Sequence, residues 1–277
     1  MTADRARRVL IAGCGDLGVA LAGELAGAEV YGLRRRAEGL PPGLRAIAAD
    51  LLTGAGYAAL PSGIDTVVYM PTAGERLESA YRAVYVEALP RLLAALPAPA
   101  PSLRLVYVSS TAVYGQDQGQ RVDEHSPPQS PPWNGAVLLE AERAAAAQVA
   151  DTRVLRCAGL YGPGRLWMLR RARAGSAIAA GTHWTNRIHL SDAARLLALL
   201  VRREQAPPML IATDDAPSPE GEVLDWLADR LGVPRPPRQG DPDQVSGKRL
   251  CNDLARSLGW RPLYADYRSG YAQVLAA

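Results

Sequence analysis

Short apolar, often β-branched runs alternate with longer stretches of helical period through roughly the first 160 residues, a pattern that specifies a parallel sheet flanked by helices. The alternation predicts strands at Val9–Ala12, Glu29–Leu33, Arg45–Ala49, Thr66–Met70, Leu103–Ser109 and Arg153–Cys157. Helices are predicted at Leu17–Ala26, Glu75–Leu96 and Gly135–Ala150. The run Pro97-Ala98-Pro99-Ala100-Pro101 stops the second helix, because proline has no N–H to continue it, and Ser126 to Pro132 reads as a surface loop for the same reason. Further on the pattern loosens. Helices at Arg165–Ala174, Ser191–Arg203 and Glu220–Leu231 are separated by a strand at Met209–Ala212 and a loop at Pro234–Val245. A final helix at Cys251–Leu258 is expected to end at Gly259 in a left-handed cap. The expected organisation is an α/β domain over residues 1–160 and a smaller, partly interleaved cap over 161–277.

Composition narrows the function classes. The chain has 277 residues, 48% hydrophobic and 21% charged, enough apolar material for a substantial core, which excludes disorder. No apolar run approaches the roughly 18–20 residues a bilayer span needs. Residues Met1 to Arg8 run into a short strand and not into the apolar core of a signal peptide, so a cytoplasmic protein without a membrane partner is expected. The 3 cysteines, Cys14, Cys157 and Cys251, are widely spaced and accompanied by only 3 histidines, which argues against disulfides and a metal site. The net charge of +3 is small and its basic side is almost wholly arginine, Lys248 being the sole lysine. The tightest basic cluster, Arg34-Arg35-Arg36, is too short for a nucleic-acid footprint, leaving a small molecule as the expected partner.

The first strand runs directly into Gly13-Cys14-Gly15-Asp16-Leu17-Gly18 and then an apolar helix, the context that gives the dinucleotide fingerprint its meaning. Gly13 permits the tight turn, Gly15 lets the backbone approach a pyrophosphate, and Gly18 lets helix and strand pack closely. The helix start over Asp16 and Leu17 offers free N–H groups to phosphate. An NAD enzyme normally ends the second strand in Asp or Glu for the ribose 2′-hydroxyl; here Arg34 and Arg35 stand there, which favours NADP over NAD. Asp50 with Leu51, after the third strand, is placed to reach an adenine, and Pro71-Thr72 ends the fourth strand where backbone and hydroxyl could approach the cofactor. Each could equally be a cap or a turn.

Val108-Ser109-Ser110-Thr111-Ala112-Val113-Tyr114-Gly115, then Arg156-Cys157-Ala158-Gly159-Leu160-Tyr161-Gly162-Pro163-Gly164, Ile188-His189-Leu190-Ser191-Asp192 and Gly259-Trp260-Arg261-Pro262 follow in order. Together they resemble the extended short-chain dehydrogenase/reductase superfamily, the group of NAD-dependent epimerases and dehydratases. The resemblance implies a doubly wound Rossmann domain and a smaller α/β substrate domain. It puts Ser109 beside the cofactor and Ser110 where the family keeps its catalytic Ser/Thr, with Tyr114 as a further catalytic candidate. Tyr161, Arg165, Arg187 and His189 fall nearest the substrate, although His189 also suits a buried histidine bonded to backbone ahead of a helix cap at Ser191 or Asp192. The Glu75–Leu96 and Gly135–Ala150 helices resemble those that pair family members into homodimers.

The departures from that family matter more. Its acid/base is a Tyr four residues before a Lys, whose charge lowers the phenol pKa from about 10. Aligning Glu142 with the acidic residue that follows the family's Lys puts Asn134 and Leu138 at those positions; a one-residue shift chooses Trp133 and Val137. Either way the relay is missing, as in the atypical members of the superfamily. Thr111 and Ala112 replace the Asp-Glu pair of sugar-nucleotide dehydratases, and Gly159 replaces an Asn favoured by nucleotide-sugar binders. Asp123-Glu124-His125 reads as a solvated loop. Two functions stay open: an NADP-dependent oxidoreductase or epimerase for a small carbonyl or sugar-like compound, and an NADP(H)-binding sensor or scaffold without turnover.

Overall fold

The computed structural model describes residues 7–129 and 131–276. They form two compact units, the first built from 7–113, 131–156 and 194–210, the second from 114–129, 157–193 and 211–276.

The first unit holds most of a seven-stranded sheet. Its strands β1 (Arg8–Ala12), β2 (Glu29–Arg34), β3 (Leu44–Ala48), β4 (Thr66–Tyr69) and β5 (Arg104–Ser110) are buried apolar runs, as a sheet covered on both faces requires. The order is Met209–Ala212, Asp151–Cys157, β5, β4, β1, β2, β3, with β1 parallel to both β2 and β4, so the order reverses between β1 and β4. The crevice at the carboxyl ends beside such a reversal is where open α/β sheets bind ligands. The chain is thus the Rossmann-type α/β protein its pattern predicted.

The predicted Glu75–Leu96 helix begins later and is not uniform. It comprises α2 (Glu78–Tyr81), a π-helical segment Arg82–Glu87 and α3 (Ala88–Ala95), which contains Pro90. Pro90 cannot donate a helical hydrogen bond and its ring crowds the preceding turn, and the widened π segment lies directly before it. Carbonyls there gain partners from the sheet: the Tyr69 hydroxyl donates to Val84 O and the Tyr107 hydroxyl to Tyr85 O, at 3.3 Å for the latter. Helix α4 (Trp133–Gln148) is pinned to strand Asp151–Cys157 by the buried Glu142–Arg156 pair, whose shortest contact is 2.6 Å.

Buried arginines close the sheet's far edge. Helix α6 (Leu190–Arg202) ends with carbonyls lacking helical donors, and Arg104 donates to Val201 O at 2.6 Å while Arg153 donates to Leu200 O at 2.7 Å and Glu204 O at 2.6 Å. Asp151 carries both guanidinium charges, at 2.7 and 2.8 Å.

The second unit contains α5 (Trp167–Ala174), α7 (Glu220–Leu231), α8 (Asp253–Ser257) and α9 (Tyr267–Ala276), with short strand pairs between them. The expected last helix is only α8, and α9 follows it; Gly270 and the flanking Arg268 and Gln273 blur its apolar stripe, whose buried members are Tyr267 and Tyr271. Gly259 does take the left-handed conformation, φ +91°. Asp192 caps no helix: its oxygens accept from Leu263 N at 2.6 Å and Tyr264 N at 3.0 Å, holding the chain that leads to α9. Nor is Asp123-Glu124-His125 a plain solvated loop, since half-buried Glu124 accepts from Ile211 N at 2.9 Å. Lys248 donates to Tyr114 O at 2.7 Å, so the sole lysine braces a turn.

Candidate cofactor cleft and substrate-side residues

A cleft of about 340 Å³ in the first unit runs over the carboxyl ends of β1 to β4. Its floor is the glycine loop. Gly13, at φ +85°, and Cys14 donate their N–H groups to Leu33 O at 3.0 and 2.9 Å, tying the loop to the end of β2. A Cβ on Gly13 would lie 2.6 Å from Pro71 Cα, so no larger residue fits between the loop and β4. At Gly15, whose N–H donates to Gly13 O at 2.9 Å, a Cβ would meet nothing within 4 Å, so the space beside its backbone is open to a ligand. Gly18 is tight, a Cβ there falling 2.9 Å from Cys14 Sγ and 3.0 Å from Ile11 Cγ2.

Helix α1 (Asp16–Glu24) starts at this loop with no side-chain cap, so the N–H groups of Leu17 and Gly18 in its first turn are placed to meet an anion. Gly15 and Asp16 are exposed, whereas the Leu17 side chain is 5% exposed and turns into the core, leaving only its backbone for a ligand. Arg34 and Arg35 line the cleft at the end of β2. Arg34 donates to Glu38 O at 2.7 Å, and its Nε is buried without a partner. Asp50 also lines the cleft, with its carboxylate turned onto Leu52 N at 2.9 Å; Leu51, Pro71 and Thr72 complete that wall. An open backbone, an uncapped helix start and an orphaned guanidinium nitrogen together fit the phosphates of a dinucleotide.

Ser110 ends β5, and its Oγ accepts from Ala112 N at 3.2 Å, which leaves its own proton to donate elsewhere. Ser109 is buried with its Oγ unpartnered. The start of α4 packs on this turn so closely that a Cβ on Gly135 would lie 2.2 Å from Ala112 O. At the neighbouring position Asn134 Oδ1 is buried without a partner. Val137 and Leu138 are both 3% exposed, so neither register of the missing lysine offers a polar group there.

The substrate-side candidates and Tyr114 belong to the second unit. Tyr114 is 1% exposed and donates to Asp123 O at 3.3 Å. Tyr161 stands edge-on to His189 at 5.3 Å between ring centroids and lies 4.5 Å from Tyr271. Burial pushes the Tyr161 phenol well above its ordinary range and holds His189 below its own, hence neutral; His189 Nδ1 accepts from Ser191 N at 3.3 Å. Arg187 is buried, donates to Thr185 Oγ1 and lies 5.4 Å over the Tyr267 ring. Arg165 is half-exposed, and its N–H closes a turn onto Gly162 O at 3.0 Å. The structure thus brings Tyr161, Arg187 and His189 into one aromatic cluster. Sequence reasoning missed Asp214, which is 1% exposed and beside that cluster; the signal was an acidic doublet, Asp214-Asp215, straight after an apolar strand. Among the described residues no group of three or more His, Cys, Asp or Glu side chains could hold a metal ion, and no helix is long and apolar enough to cross a membrane.

The sequence profile of the NAD dependent epimerase/dehydratase family matches residues 9–211. The chain belongs to that family. A solved structure from Methylobacillus flagellatus, described as an NAD-dependent epimerase/dehydratase, is 38% identical, with 98% of each chain covered and a TM-score of 0.81. The 3-diazoavenalumate denitrifying reductase of a Streptomyces species is 30% identical over 95% of this chain and 98% of its own. The dTDP-6-deoxy-L-talose 4-dehydrogenase (NAD(P)(+)) of Kitasatospora kifunensis is 30% identical over 93% and 91%. Matches to Escherichia coli relatives, also at 30%, span 54% of this chain and 56% of theirs.

Proposed function

We propose that this chain is an NADP-dependent oxidoreductase or epimerase acting on a small carbonyl or sugar-like compound. The observation that carries the reading is the pair Arg34 and Arg35 in the cleft at the end of β2, where an acidic residue would instead serve NAD. Gly13, Gly15, Asp16 and the N–H groups of Leu17 and Gly18 would border the pyrophosphate, Arg34 and Arg35 the 2′-phosphate, and Asp50 and Leu51 the adenine side. Pro71, Thr72 and Ser109 would border the rest of the cofactor. When bound, the dinucleotide supplies or accepts the hydride.

Ser110 would donate its free proton to the reacting oxygen and stabilise charge gathering there. Tyr114, with its phenol spent on Asp123 O, would position the turn that carries Ser110. With no tyrosine–lysine relay, the proton passes between Ser110 and solvent, which predicts slow turnover. Tyr161, Arg165, Arg187 and His189 are proposed to line the substrate side, Arg187 as the anchor for an anionic group. The talose dehydrogenase, a relative with a sugar substrate, supports the substrate class. Exposed Trp133 and Leu77, with Tyr81 edge-on to Trp133 at 5.0 Å between ring centroids, support pairing as a homodimer, which light scattering tests.

Calorimetric titration of ligand-stripped protein with NADPH and NADH tests the cofactor. NADPH is expected to bind at least about 10-fold more tightly, a preference that Arg34→Ala with Arg35→Ala erases, since charged hydrogen bonds contribute about 1.5–3 kcal/mol. Equal affinities would overturn the NADP assignment. Turnover against a carbonyl panel then separates the two readings. Loss of activity in Ser110→Ala supports catalysis, whereas tight NADPH binding with no oxidation by any carbonyl supports the sensor, the reading that buried Val137 and Leu138 in place of a lysine favour.

A further inference from the structure

The second unit contains a separate cleft of about 260 Å³, bordered by the turn after Met209–Ala212 and by the segment Arg249–Asp253. It is smaller than the roughly 300–1,000 Å³ of drug-sized sites, which restricts it to small ligands. Its charged groups can be sorted by what already satisfies them. Asp253 is paired with Arg121 at 2.6 Å, and the same guanidinium donates to Cys251 Sγ at 3.0 Å. Asp215 accepts from Asn252 at 2.8 Å through one oxygen and from Arg256 at 2.7 Å through the other.

Two groups are left over. Arg249 gives its Nε to Gly119 O at 2.8 Å and stacks over Trp184 at 5.2 Å, so its guanidinium is oriented while its terminal nitrogens have no partner among the described residues. Asp214 is buried and uses one oxygen to accept from Ala216 N at 3.2 Å. Its Oδ2 has no hydrogen-bond partner, a costly arrangement in an interior. Arg249 and Asp214 both line the cleft, the one an oriented cation and the other a buried carboxyl group whose Oδ2 is unpartnered.

We infer that this cleft binds a small zwitterion of the amino-acid type, its carboxylate on Arg249 and its ammonium on Asp214. A planar guanidinium held by stacking suits a carboxylate, with two parallel hydrogen bonds. An ammonium satisfies the orphaned Asp214 oxygen and balances its charge, which a neutral donor does not. The site uses neither the glycine loop nor Ser110, although Asp214 borders the Tyr161 and Arg187 cluster proposed for the substrate side.

The inference has an internal signature in protons. Burial pushes Asp214 up to about 8, against the opposing pull of Arg187, with Asp215 and Asp266 adding to the rise. Tyr161 and Tyr271, which face it from their own elements, are themselves held protonated by burial. An arriving ammonium favours the ionised carboxylate, so binding at pH 7 releases close to one proton.

The test is a thermal-shift screen of the full chain with the common L-amino acids one by one, followed by calorimetry of any that bind, in two buffers of different ionisation enthalpy. For each, the matching 2-hydroxy acid and the decarboxylated amine serve as single-charge controls. The expected result is binding of at least one amino acid, at least about 10-fold weakened in either control, with a buffer-dependent enthalpy. Arg249→Gln, at an exposed position that a fold should tolerate, is expected to weaken binding about 10- to 100-fold while leaving NADPH binding unchanged. Asp214→Asn is expected to remove the proton release. No binding by any amino acid would overturn the inference, as would controls that bind equally well, or an Arg249→Gln protein with unaltered affinity.

Discussion

The two units treat buried polar groups differently. In the first, buried arginines are spent on structure: Arg104 and Arg153 close the end of α6, and Arg156 fastens α4 through Glu142. Its orphaned polar atoms, Arg34 Nε, Ser109 Oγ and Asn134 Oδ1, lie in the cleft or around the turn that carries Ser110. In the second unit, Tyr161, Arg187, His189, Asp214, Tyr267 and Gln273 each keep a buried polar atom without a partner. Since an unmade buried hydrogen bond costs about 1–3 kcal/mol, such atoms are tolerated where a ligand repays them or where packing compensates. The comparison teaches that the sheet-bearing unit is built for stability except at its ligand edge, whereas the second unit carries polar strain in its interior.

The largest effect should come from breaking a satisfied group in the first unit. Glu142→Ala removes the carboxylate paired with the buried Arg156 charge and is expected to cost about 3–5 kcal/mol in urea unfolding; a cost below about 1 kcal/mol would remove the contrast between the units. Next is the pH dependence of the second. The Asp214 carboxyl is raised from 3.8 to about 8, so between those values the folded state holds a proton that the unfolded state has lost. Stability contributed by that group therefore falls as pH rises from about 4 to about 8, by on the order of a few kcal/mol. Asp214→Asn should flatten that slope, and an unchanged slope in thermal unfolding would sink the assignment. Tyr69→Phe leaves Val84 O without its donor and is expected to cost about 1–3 kcal/mol. The smallest change expected is Lys248→Met, about 1 kcal/mol, because a half-buried ammonium gives up one backbone contact while an apolar stem of similar length stays in place.

How much of this was legible depended on how local the cause was. The glycine loop, the strands of the central sheet and the arginines after β2 follow from period and spacing, and each appears within a residue or two of its expected place. The π segment was not legible, because it answers to Pro90 on its own helix and to Tyr69 and Tyr107 on two distant strands. Asp192 looked like a helix cap, as an acid near a helix start should, and was recruited instead by backbone groups at Leu263 and Tyr264, some seventy residues further along. Helix α9 was missed because Arg268, Gly270 and Gln273 interrupt its stripe while Tyr267 and Tyr271 do the packing. The substrate-side candidates of the second unit could be named only through family likeness, since nothing in their spacing brings Tyr161, Arg187 and His189 together, and Asp214 beside them was missed.

The π segment Arg82–Glu87 sets the phase of the helix that carries it. Geometrically, a π turn is the scar of one residue inserted into an α-helix, and each inserted residue rotates everything beyond it by about 100°. Here tyrosines from β4 and β5 donate to two carbonyls of the segment, and Val84, inside it, lines the wall of the cleft. Removing one residue from the segment would turn α3 by about 100° against the sheet, so which face of that helix packs on the core depends on a single extra residue beside the cleft wall.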